Sequence, residues 1–271
     1  MQQELAELAR GLRARLELTE PDDWSSAPGV SAAPATPSVS TVPATGLSVA
    51  GTVREEKGLR TAAPPSNTAD VETRLAAMKE KVLACRDCPL GSQRLNPAFG
   101  VGSASAKVMF IGEGPGYEED RQSEPFVGKA GQLLDRILAA TGLSRRSVYI
   151  ANIVKCHPMV DPSDPSKRGN DRPPGPSEIA ACRHYLDEQI ALIAPRCLVT
   201  LGAVAARTLL ATHEGITRLR GRWREYLPAG QDKPVPLMPT FHPAALLRDP
   251  NLKADVWKDM KELKKFLETA E

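Results

Sequence analysis

The stretch KVMFIGEGPG, Lys107–Gly116, decides the fold. Val108, Met109, Phe110 and Ile111 follow one another without a polar residue, as in a strand buried on both faces. The glycine-rich run ends that strand, and Lys129–Thr141 (KAGQLLDRILAAT) then reads as a helix. The alternation repeats. Val148–Val154 (VYIANIV) is a second strand, and a helix over Glu178–Ala194 follows, with Ser177 as its expected N-cap and Pro195 closing it. Arg196–Leu201 (RCLVTL) is a third strand, Ala203–Ala211 a helix, and Val235–Thr240 a fourth strand running into Phe241-His242-Pro243. On the N-terminal side, Val71, Leu75, Met78 and Val82 form the stripe of a helix that runs into Cys85, and a last helix spans Leu252–Glu268. Strands alternating with helices predict an α/β fold with a parallel sheet covered on both faces. Ligands of such sheets bind beyond the carboxyl ends of the strands. The GEGPG run, Asn152 and His242 all fall there.

Before this region the composition changes. Leu5, Leu8, Leu12 and Leu16 mark a short amphipathic helix over residues 1–20, either a frayed end or a docking peptide for a protein partner. Residues 21–66 read as a linker, with no charged residue from Trp24 to Val53 and prolines at 28, 34, 37 and 43. The folded domain is expected over 67–271. The whole chain of 271 residues has 35 Lys+Arg against 33 Asp+Glu, so bulk charge does not drive nucleic-acid binding, although a local basic surface can. No run of about 18 apolar residues spans a membrane, and the acidic N-terminus lacks the apolar core of a secretory signal. A cytoplasmic monomer is expected.

Five cysteines without an export signal point away from a disulfide scaffold and toward ligation. Cys85-Arg-Asp-Cys88 is a C-x2-C pair at a helix end, with Cys156 after the second strand and Cys182 in the next helix. Four thiolates suit tetrahedral zinc or a [4Fe–4S] cluster, and spacing alone does not separate the two. Cys197, inside the apolar RCLVTL, reads as a small buried hydrophobe.

The motifs occur in a familiar order: Cys85-Arg-Asp-Cys88-Pro-Leu, Gly112-Glu-Gly-Pro-Gly116, Glu124-Pro-Phe-Val-Gly128-Lys-Ala-Gly131, Asn152-Ile-Val-Lys-Cys156, Ala181-Cys182-Arg183, Leu201-Gly202, Arg220-Gly221 and His242-Pro-Ala-Ala-Leu-Leu-Arg248. The chain resembles the family 4, iron–sulfur uracil-DNA glycosylases from about Val71 to its C-terminus. The resemblance implies a three-layer α/β/α sandwich with a central, mainly parallel four-stranded sheet. It also implies a structural [4Fe–4S] cluster on Cys85, Cys88, Cys156 and Cys182, uracil-containing DNA as partner, and release of uracil to leave an abasic site. One departure is the long Pro-rich connection between Cys156 and Cys182, HPMVDPSDPSKRGNDRPPGP. A relative trapped covalently on abasic DNA has an arginine-rich loop with a histidine here. In this chain Gly169-Asn170-Asp171 follow Lys167-Arg168, and His157 is the one histidine nearby, so ordinary turnover is expected. A slow or covalent uracil-DNA binder and a non-catalytic, polymerase-associated DNA-binding module are the alternatives.

Breaking the N-glycosidic bond requires an everted base, recognition of its edge, stabilisation of the departing anion and a placed water. By resemblance the ring of Phe126 stacks on the flipped uracil; on its own it could as well be a core aromatic. Asn152 carries donor and acceptor on one amide and can pair with O4 and N3–H of uracil, where cytosine has the opposite polarity. His242 can donate to O2 as charge builds, and neutral imidazole suffices. Glu113 is assigned to positioning water and its loop, with Glu119 and Asp120 as helpers or mere caps, and the backbone amides of Gly112 and Gly114 to contacting the base. Leu246 and Leu247 are read as an apolar wedge, or else an ordinary helical turn, with Arg248 on phosphate. Lys129 and the run Arg218, Arg220, Arg222, Arg224 are further candidates for phosphate, unless the run is only a solvated strand face.

Overall fold

The computed structural model describes residues 67–269; the expected N-terminal helix and linker lie outside the described residues. Helix α1, Thr68–Ala84, is capped by Asn67, whose side chain accepts from Asp70 N at 2.8 Å. A short turn α2, Leu90–Gln93, leads to β1, Val101–Gly102, and then to β2, Val108–Gly112. Helices α3 (Tyr117–Gln122) and α4 (Lys129–Ala140) precede β3, Tyr149–Asn152. The chain continues through α5 (Pro176–Ile193), β4 (Cys197–Leu201), α6 (Ala203–Leu210), α7 (Ile216–Leu219), β5 (Arg224–Tyr226) and β6 (Val235–Thr240). Two helices close it, α8 (Pro243–Arg248) and α9 (Leu252–Thr269).

The strands form one sheet in the order β1-β3-β2-β4-β6-β5. The inner four are parallel and are the four expected from the sequence. The sheet is nevertheless six-stranded, because β1 and β5 add antiparallel edges to β3 and β6. Two or three residues are too few to show a period of two, so β1 was not legible as a strand and β5 only as part of the candidate strand face TRLRGRWREY.

Every residue of β2, β3 and β4 is buried, which explains their unbroken apolar character. Successive side chains point to opposite faces. Met109, Ile111, Ala151, Leu198 and Leu237 share one core with Val71, Leu75, Met78 and Val82 of α1, Leu186 and Ile190 of α5, and Ala205 of α6. The alternate residues, among them Phe110, Ile150 and Val199, are equally buried, as are Leu134 of α4 and Leu263 of α9. Helices thus surround a central sheet.

One cap differs from expectation. Ser177 does not start α5. Gly175 is the N-cap and Pro176 the first helical residue, while the Glu178 carboxylate reaches back to accept from Gly175 N at 2.6 Å. A proline has no N–H to satisfy and suits that first position.

Gly112 ends β2 opposite Asn152 at the end of β3, and Leu201 ends β4 opposite Thr240 at the end of β6. From β2 the chain moves to β3 on one side and then to β4 on the other, so the sheet changes direction between β2 and β4. The loops at this switch point splay apart and leave a crevice.

Candidate active site

That crevice is a cleft of about 1290 Å³, lined from all four parallel strands by Glu113, Gly114, Asn152, Gly202 and His242 and from the α3–α4 connection by Phe126. Its size exceeds the ~300–1,000 Å³ of a drug-sized pocket, so it has room for a ligand larger than a single small ring.

Asn152 and Phe126 converge on Gly112. A Cβ built there would lie 2.4 Å from Asn152 Oδ1 and 2.5 Å from Phe126 Cζ, so only glycine lets the two side chains approach the strand end. Asn152 is 1% exposed and its Oδ1 has no hydrogen-bond partner. A buried acceptor left unpaired costs about 1–3 kcal/mol, and its position on the cleft wall is where a ligand's N–H would relieve that cost.

Phe126 holds a left-handed backbone, φ 57°, which a bulky residue adopts only under constraint. The constraint is visible. Arg145 Nη2 donates to the Phe126 carbonyl, and Arg145 is itself paired with Glu124 at 3.1 Å and Asp135 at 2.6 Å. A Cβ at Gly131 would run into that same carbonyl at 1.7 Å. The Phe126 ring faces the His242 ring, centroids 5.5 Å apart and tilted by 32°.

His242 caps α8: its Nδ1 accepts from Ala244 N at 3.1 Å. That bond places the imidazole proton on Nε2, which is then a donor. Burial, and next the nearby Arg248, push its pKa down to about 4, so the ring is neutral at physiological pH.

Three acidic residues, Glu113 in the loop after β2 and Glu119 and Asp120 in α3, divide by their partners. Glu119 Oε1 accepts from Val127 N at 3.0 Å and Gly128 N at 3.1 Å, and Oε2 from Gly116 N at 3.2 Å. Asp120 is fully buried and accepts from Leu95 N and Asn96 N. Glu113 has no such donors, and burial raises its pKa above the usual carboxylate range.

Behind the cleft, Cys85, Cys88, Cys156 and Cys182 line one small cavity between α1 and α5, together with Lys155 and Arg94. Arg94 Nη1 lies 2.6 Å from Cys156 Sγ, and Lys155 N donates to Cys182 Sγ at 3.3 Å. Among the described residues no three His, Cys, Asp or Glu side chains close on a point as for a single ion. Cys197 is buried in β4, away from the other four.

A family model described as Uracil DNA glycosylase superfamily matches residues 99–264. The chain is 39% identical over 199 residues to a type-4 uracil-DNA glycosylase of Thermotoga maritima, covering 72% of this chain and 96% of that one. It is 38% identical over 197 residues to the type-4 enzyme of Sulfurisphaera tokodaii, at 71% and 84% coverage, and 37% identical over 187 residues to that of Archaeoglobus fulgidus, at 68% and 88%. The chain belongs to the type-4 uracil-DNA glycosylases.

The glycosylase differs from the sequence-based expectation in its outer parts. Leu246 is only 1% exposed and packs inside, as in the helical-turn alternative, whereas Leu247 is 46% exposed. Arg248 and Lys129 are exposed on the cleft. Arg220 is not free to track phosphate, because its guanidinium is committed to the Asp259 carboxylate and to Asp255. TRLRGRWREY is therefore not one strand face; it is divided among α7, this ion pair and β5. Gly112 supplies space rather than a cleft surface, whereas Gly114 does line the cleft. The long connection after Cys156 is folded onto the rim: His157 is buried with Nε2 2.6 Å from Asp171 Oδ1, and Arg168 pairs with Glu118 at 2.8 Å over the Tyr117 ring. Glu119 takes the capping role that the sequence offered as one alternative, here for two loops, while Lys155 was missed altogether. The former left a signal, an acid at the third position of a helix preceded by glycine.

Proposed function

We propose that this glycosylase hydrolyses the N-glycosidic bond of uracil in DNA after everting the base into the cleft, releasing free uracil and leaving an abasic site. The unpaired, buried Oδ1 of Asn152 carries the reading. The N3–H of uracil would satisfy it while the Asn152 amide donates to O4, and the Phe126 ring supplies the stacking surface. Cytosine presents an acceptor at N3 and would leave the buried Oδ1 unpaired, which is the basis of discrimination.

His242 Nε2–H donates to uracil O2. As the C1′–N1 bond breaks, its electron pair enters the base and charge gathers on O2, where a fixed neutral donor stabilises it most. Glu113, ionised, faces the sugar, which becomes cationic, and orients the water whose oxygen bonds to C1′. The water's proton passes to that carboxylate, and the uracil anion is protonated from solvent. Gly114 brings its backbone close to the base. Arg248 and Lys129 contact phosphates, and Leu247 fills the gap left by the base.

The four thiols Cys85, Cys88, Cys156 and Cys182 line one cavity and form the all-cysteine donor set that a [4Fe–4S] cluster takes, as the family resemblance implies. When bound, it would tie α1, the segment after β3 and α5 together; the reaction needs no electron from it. An iron and acid-labile sulfide assay tests this, and colourless, zinc-loaded protein would refute it.

The decisive experiment incubates the purified chain with an excess of end-labelled uracil oligonucleotide and cleaves abasic sites with alkali. Many strand breaks per enzyme are expected. A denaturant-resistant shifted band without turnover would establish trapping instead, and intact oligonucleotide with neither would leave a binding module.

A further inference from the structure

Arg220-Gly221 stands among the ordered motifs of the sequence, yet neither residue lines the cleft. The Arg220 guanidinium lies across both oxygens of the Asp259 carboxylate, with Nη2 2.5 Å from Oδ1 and Nε 3.1 Å from Oδ2. Asp259 comes from α9 and is 1% exposed. Its Oδ2 also accepts from Thr240 Oγ1 at 2.6 Å. The same guanidinium stands over the Phe241 ring, 5.6 Å from the centroid, within reach of a cation–π contact. Gly221 N donates to Pro239 O at 2.9 Å, and Gly202 N donates to Thr240 O at 2.9 Å. Only glycine fits at 221, because φ is 68° and a Cβ would lie 2.4 Å from Asp259 Oδ1.

Pro239, Thr240 and Phe241 are thus each tied by a different group, and the next residue is His242. A buried bidentate ion pair contributes direction more than net stability. Here the direction runs along the last residues of β6 to the imidazole. The His242 ring is oriented by the bond from Ala244 N, whereas these contacts fix the backbone ahead of it. A donor stabilises a developing oxyanion only from the right distance, and small displacements are felt in the rate.

We propose that Arg220 and Asp259 are positioning residues for His242: acting through Thr240 and Phe241, they hold the end of β6 where Nε2–H meets the leaving base. The inference rests on the role of His242 given above. It goes beyond that role by assigning the Arg-Gly motif and a side chain of the last helix to the same step, though neither touches the substrate.

The test uses the full chain and a uracil oligonucleotide. Thr240→Val removes the hydroxyl that reaches Asp259 and keeps the shape of the side chain. It is expected to lower kcat about fivefold with KM little changed. Thr240→Ser keeps the hydroxyl and is expected to stay within about twofold of the parent. A packing defect would give the opposite order, since serine loses the methyl that valine retains. Arg220→Lys keeps the charge but cannot span both Asp259 oxygens, and a similar loss of kcat at unchanged KM is expected. In a His242→Ala background, Thr240→Val and Arg220→Lys are each expected to change kcat by less than about twofold, because their effect passes through His242. Parent-like kcat in both variants, Thr240→Ser as slow as Thr240→Val, a loss confined to KM, or an undiminished effect in the His242→Ala background would overturn the proposal. Should one of the two variants not fold, the other carries the same comparison between backgrounds. The underlying reading fails separately: a His242→Ala variant as active as the parent removes the assignment of His242 and takes the proposal with it.

Discussion

Glu113 and Glu119 both line the cleft from the segment after β2, yet their carboxylates have opposite surroundings. Three backbone N–H groups from two loops converge on Glu119, whereas Glu113 has none and is pushed toward its neutral form by burial. The same division runs through the rest of the site. Asp120 and Asp259 are buried and saturated, the one by Leu95 and Asn96, the other by Thr240 and Arg220. Asn152 Oδ1 is buried and unsaturated. Polar groups with all their partners inside the protein hold its frame. Those left without partners at the cleft are available to a substrate, and folding stability is the cost of keeping them so.

The sharpest way to break this comparison is at Asn152. Asn152→Asp puts a carboxylate where an amide donor is needed, and single-turnover excision should fall by roughly 10³-fold or more, in line with losing a polar recognition pair. An unaltered uracil rate would remove Asn152 from the unsaturated class. Next comes His242→Ala, with an expected loss of about 10²–10³ in kcat, as for one oxyanion donor. Linkage gives a second readout. The folded His242 takes up its proton only near 4 against 6.5 when free, so the folded state binds less proton than the unfolded and stability falls as pH drops from about 6.5 toward 4. Urea melts of His242→Ala should show a shallower fall over that window.

Glu113→Gln should cost roughly tenfold to a hundredfold in kcat. Because the Glu113 pKa is raised, the carboxylate form is lost as pH falls through a value above the usual range, and the parent's acid limb of kcat should sit there and vanish in the variant. A limb that persists in Glu113→Gln would assign it elsewhere. The smallest effect on chemistry is expected from the saturated partner. Glu119→Ala strands three backbone donors and should reduce unfolding free energy by about 1–3 kcal/mol, with excision in the folded protein falling less than tenfold. If Glu119→Ala abolished excision without changing stability, the division between frame and working groups would be wrong.

Long buried strands announce themselves, and so the four parallel strands and the loops at their ends were readable from runs such as VMFI and CLVT. Short edges were not. β1 and β5 exist because neighbouring strands offer unpaired backbone, a property of the assembled sheet rather than of their own two or three residues. The choice between Leu246 and Leu247 likewise depends on how α8 is rotated against its neighbours, which no local pattern in PAALLR specifies. Ser177 looked like a cap because serine often is one; Pro176 and the reach of Glu178 to Gly175 prevailed. Lys155 was invisible for a similar reason. A lysine between Val154 and Cys156 reads as exposed until the fold closes over it.

The left-handed backbone of Phe126 has a consequence for how the substrate arrives. With its carbonyl gripped by Arg145 and its flank pressed on Gly131, the aromatic platform is complete before any base reaches it. On the stacking role proposed for Phe126, that residue needs no change in its own backbone to receive a base, and the cost of eversion is then chiefly the unstacking of the nucleic acid.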